Sequence, residues 1–221
     1  MKLAHIHRAN KHIEPVWHVQ LAVLAAIGLQ VILNHDLTVG PKYAIGIFEI
    51  ILLIGLASIR PKNKPSISGL RHTFAILLIA VVSAANLASL ILVITNLLEG
   101  AQLDGRDLIG SAVVIYLTNI IIFGMWYWEL DSDGNPGQST DIAPVDFLFP
   151  QMRLPKDSSI SQDWQPTFFD YLYISITNAV AFSPNDTVPL THRAKLLMTL
   201  QSLISVVTVA LVVTRAVTIL A

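Results

Sequence analysis

The sequence predicts an all-α integral membrane protein, with five strong transmembrane helices plus one further apolar segment. That segment is either a pore-helix-like element or a sixth crossing. Three observations predict this. Of the 221 residues, 53% are hydrophobic and only 13% are charged, against roughly 25% charged in soluble domains. Long runs carry no charge at all, and those runs are long enough to cross or nearly cross a bilayer core of about 30 Å. The backbone of a lipid-facing segment must satisfy its own hydrogen bonds, which makes helix the default.

The five spans follow in order. Trp17 to Leu33 and Tyr43 to Ile59 are short for a crossing and must extend into their flanks or thin the bilayer. Thr73 to Leu98 is long, Leu108 to Trp128 is the fourth, and Ala194 to Leu220 is the last. Trp17, Tyr43, Trp126, Tyr127 and Trp128 lie at span ends, where amphipathic rings favour the headgroup layer. The N-terminal stretch is too polar for the core of a signal peptide, so the first helix is expected to be retained. Residues 1–99 thus read as a three-helix membrane region, and 100–221 as a second region with its own plan.

In that second region, residues 130–165 form a loop rich in Asp, Pro, Ser and Gly, with an apolar knot from Asp146 to Met152 expected at the membrane interface. Pro166 to Phe182 is a weaker apolar segment. Pro166 suits a first helical turn, and Asp170 suits the positive end of the helix dipole. The break at Ser183-Pro184-Asn185-Asp186 then precedes the last span.

The run FFDYLYISITNAVAFSPNDTVPLT, from Phe168, resembles the pore helix, filter and following turn of bacterial potassium channels. Phe169, Asp170, Leu172, Tyr173, Ser175, Thr177, Asp186, Pro189 and Thr191 fall in register without a gap, and Arg193 and Lys195 fit the start of an inner helix. The resemblance covers the C-terminal half. The chain looks like a member of a group of small bacterial membrane proteins built around such an end. The resemblance implies that the fourth span is an outer helix, that Thr177, Asn178, Ala181, Phe182, Ser183, Pro184, Asn185 and Asp186 occupy the filter region, that the assembly is a homo-oligomer of four, and that a monovalent cation is the partner. It implies a bacterial inner membrane, crossed several times. Potassium filters are stacks of inward carbonyls whose glycines allow unusual backbone angles. Here both glycines are replaced, and Pro184 fixes its own angle and restricts Ser183. Altered selectivity follows. The last span also lacks a glycine hinge.

Charge counting places the polar loops. Lys2, Arg8 and Lys11 precede the first span, and Arg60, Lys62, Lys64 and Arg71 follow the second, whereas Lys42 and Arg106 stand alone in the other loops. Cytoplasmic loops collect such residues, so the N-terminus, the 60–72 loop and residues 130–165 are expected inside. A channel needs its turret and filter outside. If 166–182 crosses, six spans put Ser183 to His192 outside. If it is re-entrant, five spans remain. Charge asymmetry supports the first and the motif supports the second; six hydrophobic segments are expected either way.

Polar residues within spans are candidates for function. Gln201, Ser205 and Thr208, with Arg215, share a face of the last helix. They would line a water-filled path or bind neighbouring helices. Glu49 is a lone carboxyl among apolar residues, costly in lipid, and should face the interior, be protonated or have a partner such as Asn86 or Asn119. Ser83, Ala84, Ala85, Ala88 and Ser89 make a small-residue patch for close packing. Glu129, Asp131 and Asp133 form an acidic patch able to concentrate cations at a mouth.

Several classes are not supported. Net charge is -1, so no nucleic-acid partner is expected, and no cysteine is present for disulfides or thiolate sites. His5, His7, His12 and His18 do not amount to a metal site, and Asp131, Asp133 and Asn135 lack the glycine and glutamate of a calcium loop. No nucleophile–base set or phosphate loop exists, so neither an enzyme nor a cofactor is expected. The functional expectation is a cation channel-like pore with an altered filter. The alternatives are a non-conducting scaffold or partner subunit, and a small proton-linked transporter using Glu49.

Overall fold

A computed structural model describes residues 17–33, 44–58, 65–99, 105–131, 145–154, 164–181 and 186–220. Each apolar run becomes a helix: α1 Trp17–Ile32, α2 Ala44–Ser58, α3 Pro65–Leu98, α4 Gly105–Asp131, α5 Phe168–Ala181 and α6 His192–Leu220. Two short strands, β1 Phe147–Leu148 and β2 Val188–Pro189, pair antiparallel, Phe147 opposite Pro189 and Leu148 opposite Val188.

Three of these helices are long and apolar enough to cross a membrane: His72–Leu98 within α3, α4, and His192–Val217 within α6. Five strong spans were expected. At 16 and 15 residues, α1 and α2 rise only about 24 and 22 Å, less than a hydrocarbon core. In contrast, α3 begins earlier than its apolar run. Pro65 opens it, where a missing N–H costs nothing, and the helix carries on through Arg71, so residues 65–72 are helix and not loop.

α4 is the hub, packing against α1, α3, α5 and α6. Its neighbours run antiparallel to it. For α3, His72 meets Glu129 at one end, while Leu90 and Val93 join Leu108 and Ile115 at the other. For α1, Leu33 joins that same far cluster, so its start lies at the Glu129 end. The end of α2 is there too, since Gly55 lies against the Phe74 ring.

α5 and α6 share this direction. Along α5, Phe168 stacks edge-on to Trp128, Leu172 lies on Gly124, and Ser175 reaches the Ile120 carbonyl. Along α6, Arg193 meets Asp146, Gln201 meets Tyr127, and Ser205 meets Asn119. Both helices therefore start at the Asp131 end of α4 and run the same way. The 14-residue α5 rises about 21 Å, and the chain is back at its starting end by β2, paired with the segment that precedes α5.

The apolar knot at Asp146 to Met152 was expected at the interface. Instead Phe147 and Phe149 are buried. Phe147 packs on Tyr127 and Tyr171, and Phe149 on Tyr171 and Trp164. These rings fill the space between the end of α4 and the start of α5. Pro166 precedes the α5 cap and is not in its first turn. Thr167 is the cap, with its N–H and hydroxyl donating to Asp170 Oδ2 at 2.7 and 2.8 Å.

Candidate functional site

The C-terminal region is held by a buried polar node where α4, α5 and α6 meet. Gln201, fully buried, sits at its centre. Its Oε1 accepts from the Tyr127 hydroxyl at 2.5 Å and from Asn178 Nδ2 at 2.9 Å. Its Nε2 donates to the Ser175 carbonyl at 2.9 Å and to Ser175 Oγ at 2.6 Å. Ser175 Oγ donates onward to the Ile120 carbonyl at 2.6 Å. Asn178 also donates to the Met198 carbonyl at 3.0 Å and accepts from Ser202 at 3.3 Å. Every amide hydrogen-bonding group of Gln201 is thus engaged, as burial demands. Asn119 donates to Ser205 at 3.2 Å one turn further along, and Thr208 donates to its own helix at Ile204.

Gln201, Ser205 and Thr208 do share a face, and that face is turned into their own chain. All three are fully buried. Of the two roles open to this stripe, binding neighbouring helices is the one its hydrogen bonds display. The outward face of α6 carries Leu196, Leu200, Leu203, Val207, Val213 and Val217. The outward face of α5 carries Phe169, Tyr173, Ile176 and Val180.

The filter-like residues divide. Thr177, Asn178 and Ala181 are still helical. Thr177 Oγ1 donates to the Tyr173 and Ile174 carbonyls within α5, Asn178 enters the node, and Ala181 ends the helix exposed. Helical carbonyls bond along the axis, so this part is no extended carbonyl stack. Phe182, Ser183, Pro184 and Asn185 lie outside the described residues. Asp186 is exposed, and Thr187 after it is buried.

A second polar cluster ties the return of the chain to the end of α4. Asp131 Oδ1 accepts from the Asp146 N–H at 2.7 Å, and the Tyr171 hydroxyl donates to Asp131 Oδ2. Asp146, almost fully buried, accepts from the Thr191 hydroxyl and from Arg193 Nε at 3.0 Å, with Arg193 Nη2 2.9 Å from its other oxygen. The Asp146 carbonyl accepts from Leu190 N–H at 2.8 Å. Thr191 in turn caps α6 by accepting from the Ala194 N–H at 3.3 Å.

The acidic patch is therefore not a solvated mouth. Glu129 and Asp131 are buried; Glu129 lies 2.6 Å from His72 Nδ1, and Asp133 falls outside the described residues. Nor is Tyr127 an interfacial anchor, being fully buried within the node. Trp126 donates to Ser83 at 3.0 Å, so the small-residue patch of α3 does meet α4. Among the polar residues of the N-terminal region, Glu49 is fully buried and Asn86 nearly so. The partner of Glu49 is Gln30 of α1, not Asn86 or Asn119. With its nitrogen toward the carboxyl, the Gln30 amide donates to both oxygens at 3.1 and 3.2 Å.

Sequence reasoning passed over Tyr127, Tyr171 and Asp146 as site members, and read Asp131 as part of a solvated acidic patch. The signal for Asp146 was a single carboxylate heading an apolar knot; for Tyr127 there was none, since a buried tyrosine and a headgroup tyrosine occupy the same place in a span. The described residues hold no group of three or more His, Cys, Asp or Glu able to bind a metal; residues 1–16, with His5, His7 and His12, lie outside them. No family model, curated protein or solved structure matches the chain.

Proposed function

We propose that this chain is a membrane-embedded, channel-like subunit in which α4 acts as outer helix, α5 as a re-entrant helix and α6 as inner helix. The observation that carries the reading is the shared starting end of α5 and α6, with β2 returned beside the segment that precedes α5. A helix that enters a bilayer and stops leaves its last carbonyls unpaired and its dipole negative at mid-depth. Such backbone is tolerated only where protein covers it or water reaches it. Copies of the chain arranged around α5 and α6, four of them by the resemblance, would supply both, and the carbonyl end would favour a monovalent cation. Selectivity would differ from a potassium filter because both filter glycines are replaced and Pro184 fixes its own backbone angle.

A second reading is favoured by one observation. The polar stripe of α6 faces inward, and the outward faces of α5 and α6 are apolar. That supports a non-conducting scaffold or partner subunit that keeps the channel architecture. Cation flux through the purified protein in liposomes separates the two. The channel reading expects flux that Asp186→Ala alters. The scaffold reading expects none, together with a stable complex on pull-down.

A further inference from the structure

We infer that the channel-like mouth opens toward the cytoplasm, the opposite of the side its resemblance to potassium channels implies. This rests on the re-entrant reading of α5. Given the helix directions, the order of the sequence attaches each Lys and Arg to the helix end that it precedes or follows. The mouth end holds the start of α1, the end of α2, the start of α3, the end of α4, and the starts of α5 and α6.

The segments attached at that end carry eleven of the 14 basic residues. Lys2, Arg8 and Lys11 precede α1. Arg60, Lys62, Lys64 and Arg71 lie between α2 and the apolar part of α3. Arg153 and Lys156 lie between α4 and α5, and Arg193 and Lys195 open α6. Only Lys42, Arg106 and Arg215 belong to the far end. Lys and Arg in short loops near span ends are retained on the cytoplasmic side, and Asp and Glu contribute little to that choice. If α5 crossed, Arg193 and Lys195 would move to the other side and Arg215 would join the basic one, ten against four in place of eleven against three. Because it returns, the bias strengthens, and the exposed Asp186 lies on the same side as the basic segments.

The consequence concerns access. A cation would approach Asp186 from the cytoplasm, and residues 145–154, tied to the start of α6 through Asp146, Thr191 and Arg193, would lie on that same side. Anything that regulates the mouth through that segment would be a cytoplasmic solute or protein.

The absence of native cysteine makes the test direct. Single cysteines are placed by Asp186→Cys and Arg153→Cys, both exposed positions at the mouth end, and by Gln102→Cys between α3 and α4. A membrane-impermeant maleimide is applied to intact cells and to inside-out vesicles. The expected result is that Asp186→Cys and Arg153→Cys label only in inside-out vesicles and Gln102→Cys only in intact cells. The reverse pattern for all three overturns the orientation and leaves the re-entrant helix standing. Labelling of Asp186→Cys and Arg153→Cys from opposite sides overturns the re-entrant reading itself, and this inference with it. If Asp186→Cys does not fold, Arg153→Cys with Gln102→Cys still decides the orientation of the mouth end. None of these outcomes depends on conduction.

Discussion

The two halves of the bundle are held by different means. Around α1, α2 and α3, contact is mainly apolar: Val23, Ala26, Leu53, Leu78 and Val82 fill the interior, and the half-buried Gln30 with the buried Glu49 makes a polar pair between α1 and α2. Around α5, directional bonds do the holding: Tyr127, Ser175, Asn178 and Gln201 join three helices at one point. In lipid the hydrophobic effect does not draw helices together, because lipid tails are as apolar as leucine. The long helices α3, α4 and α6 are kept in place by their length. The 14-residue α5 is not, and its bonds to α4 and α6 fix its depth and rotation. The difference teaches that Gln201, the first residue of the polar stripe of α6, serves to hold α5.

The largest expected effect falls on the node. Gln201→Leu removes bonds to three partners and leaves buried polar groups of Tyr127, Ser175 and Asn178 short of a partner, costing about 2–3 kcal/mol. Thermal unfolding in detergent should show it. A loss as small as that of an exposed substitution would erase the contrast between the halves. Next is the close approach of α4 and α5. A Cβ at Gly124 would stand 3.2 Å from Leu172 Cα, so Gly124→Val pushes backbone against backbone, at about 1–3 kcal/mol. The same assay checks it, and tolerance would mean that α5 is free to shift. The smallest structural effect belongs to the other half. Glu49→Gln keeps the shape and a hydrogen bond to Gln30, and is expected to change stability by less than about 1 kcal/mol. It also sharpens function: abolition of a pH-linked uptake by this change would transfer the activity from the α4–α6 region to Glu49.

What was legible in the sequence follows from the same contrast. Hydropathy reports what lipid tolerates, so the apolar runs that become α3, α4 and α6 could be read, as could the common face of Gln201, Ser205 and Thr208. It does not report which neighbour a polar side chain meets. The stripe could therefore not be aimed, Glu49 was given the wrong asparagines as partners, and Glu129 and Asp131 looked like a solvated patch when each is buried against a partner. Tyr127 and the rings of Phe147 and Phe149 were assigned to the interface because an aromatic near a span end looks alike whether it faces headgroups or core. The direction of α5 was open for a related reason: its 14 residues are too few to fix a crossing, and the return of the chain beside the segment before α5 is seen only in the long-range pairing of β1 and β2.

That pairing also gives the most direct test of the central claim, that the chain returns to the end from which α5 departs. Leu148 and Val188 are opposite one another in the antiparallel ladder, where Cα separations of about 4.5–5.5 Å fall within disulfide range. In the cysteine-free chain, the double variant Leu148→Cys with Val188→Cys is expected to form an intramolecular disulfide in the membrane under mild oxidation, seen as loss of both free thiols in the monomer band. Two thiols that each react with a maleimide yet never join would place the segments apart, and α5 would then cross.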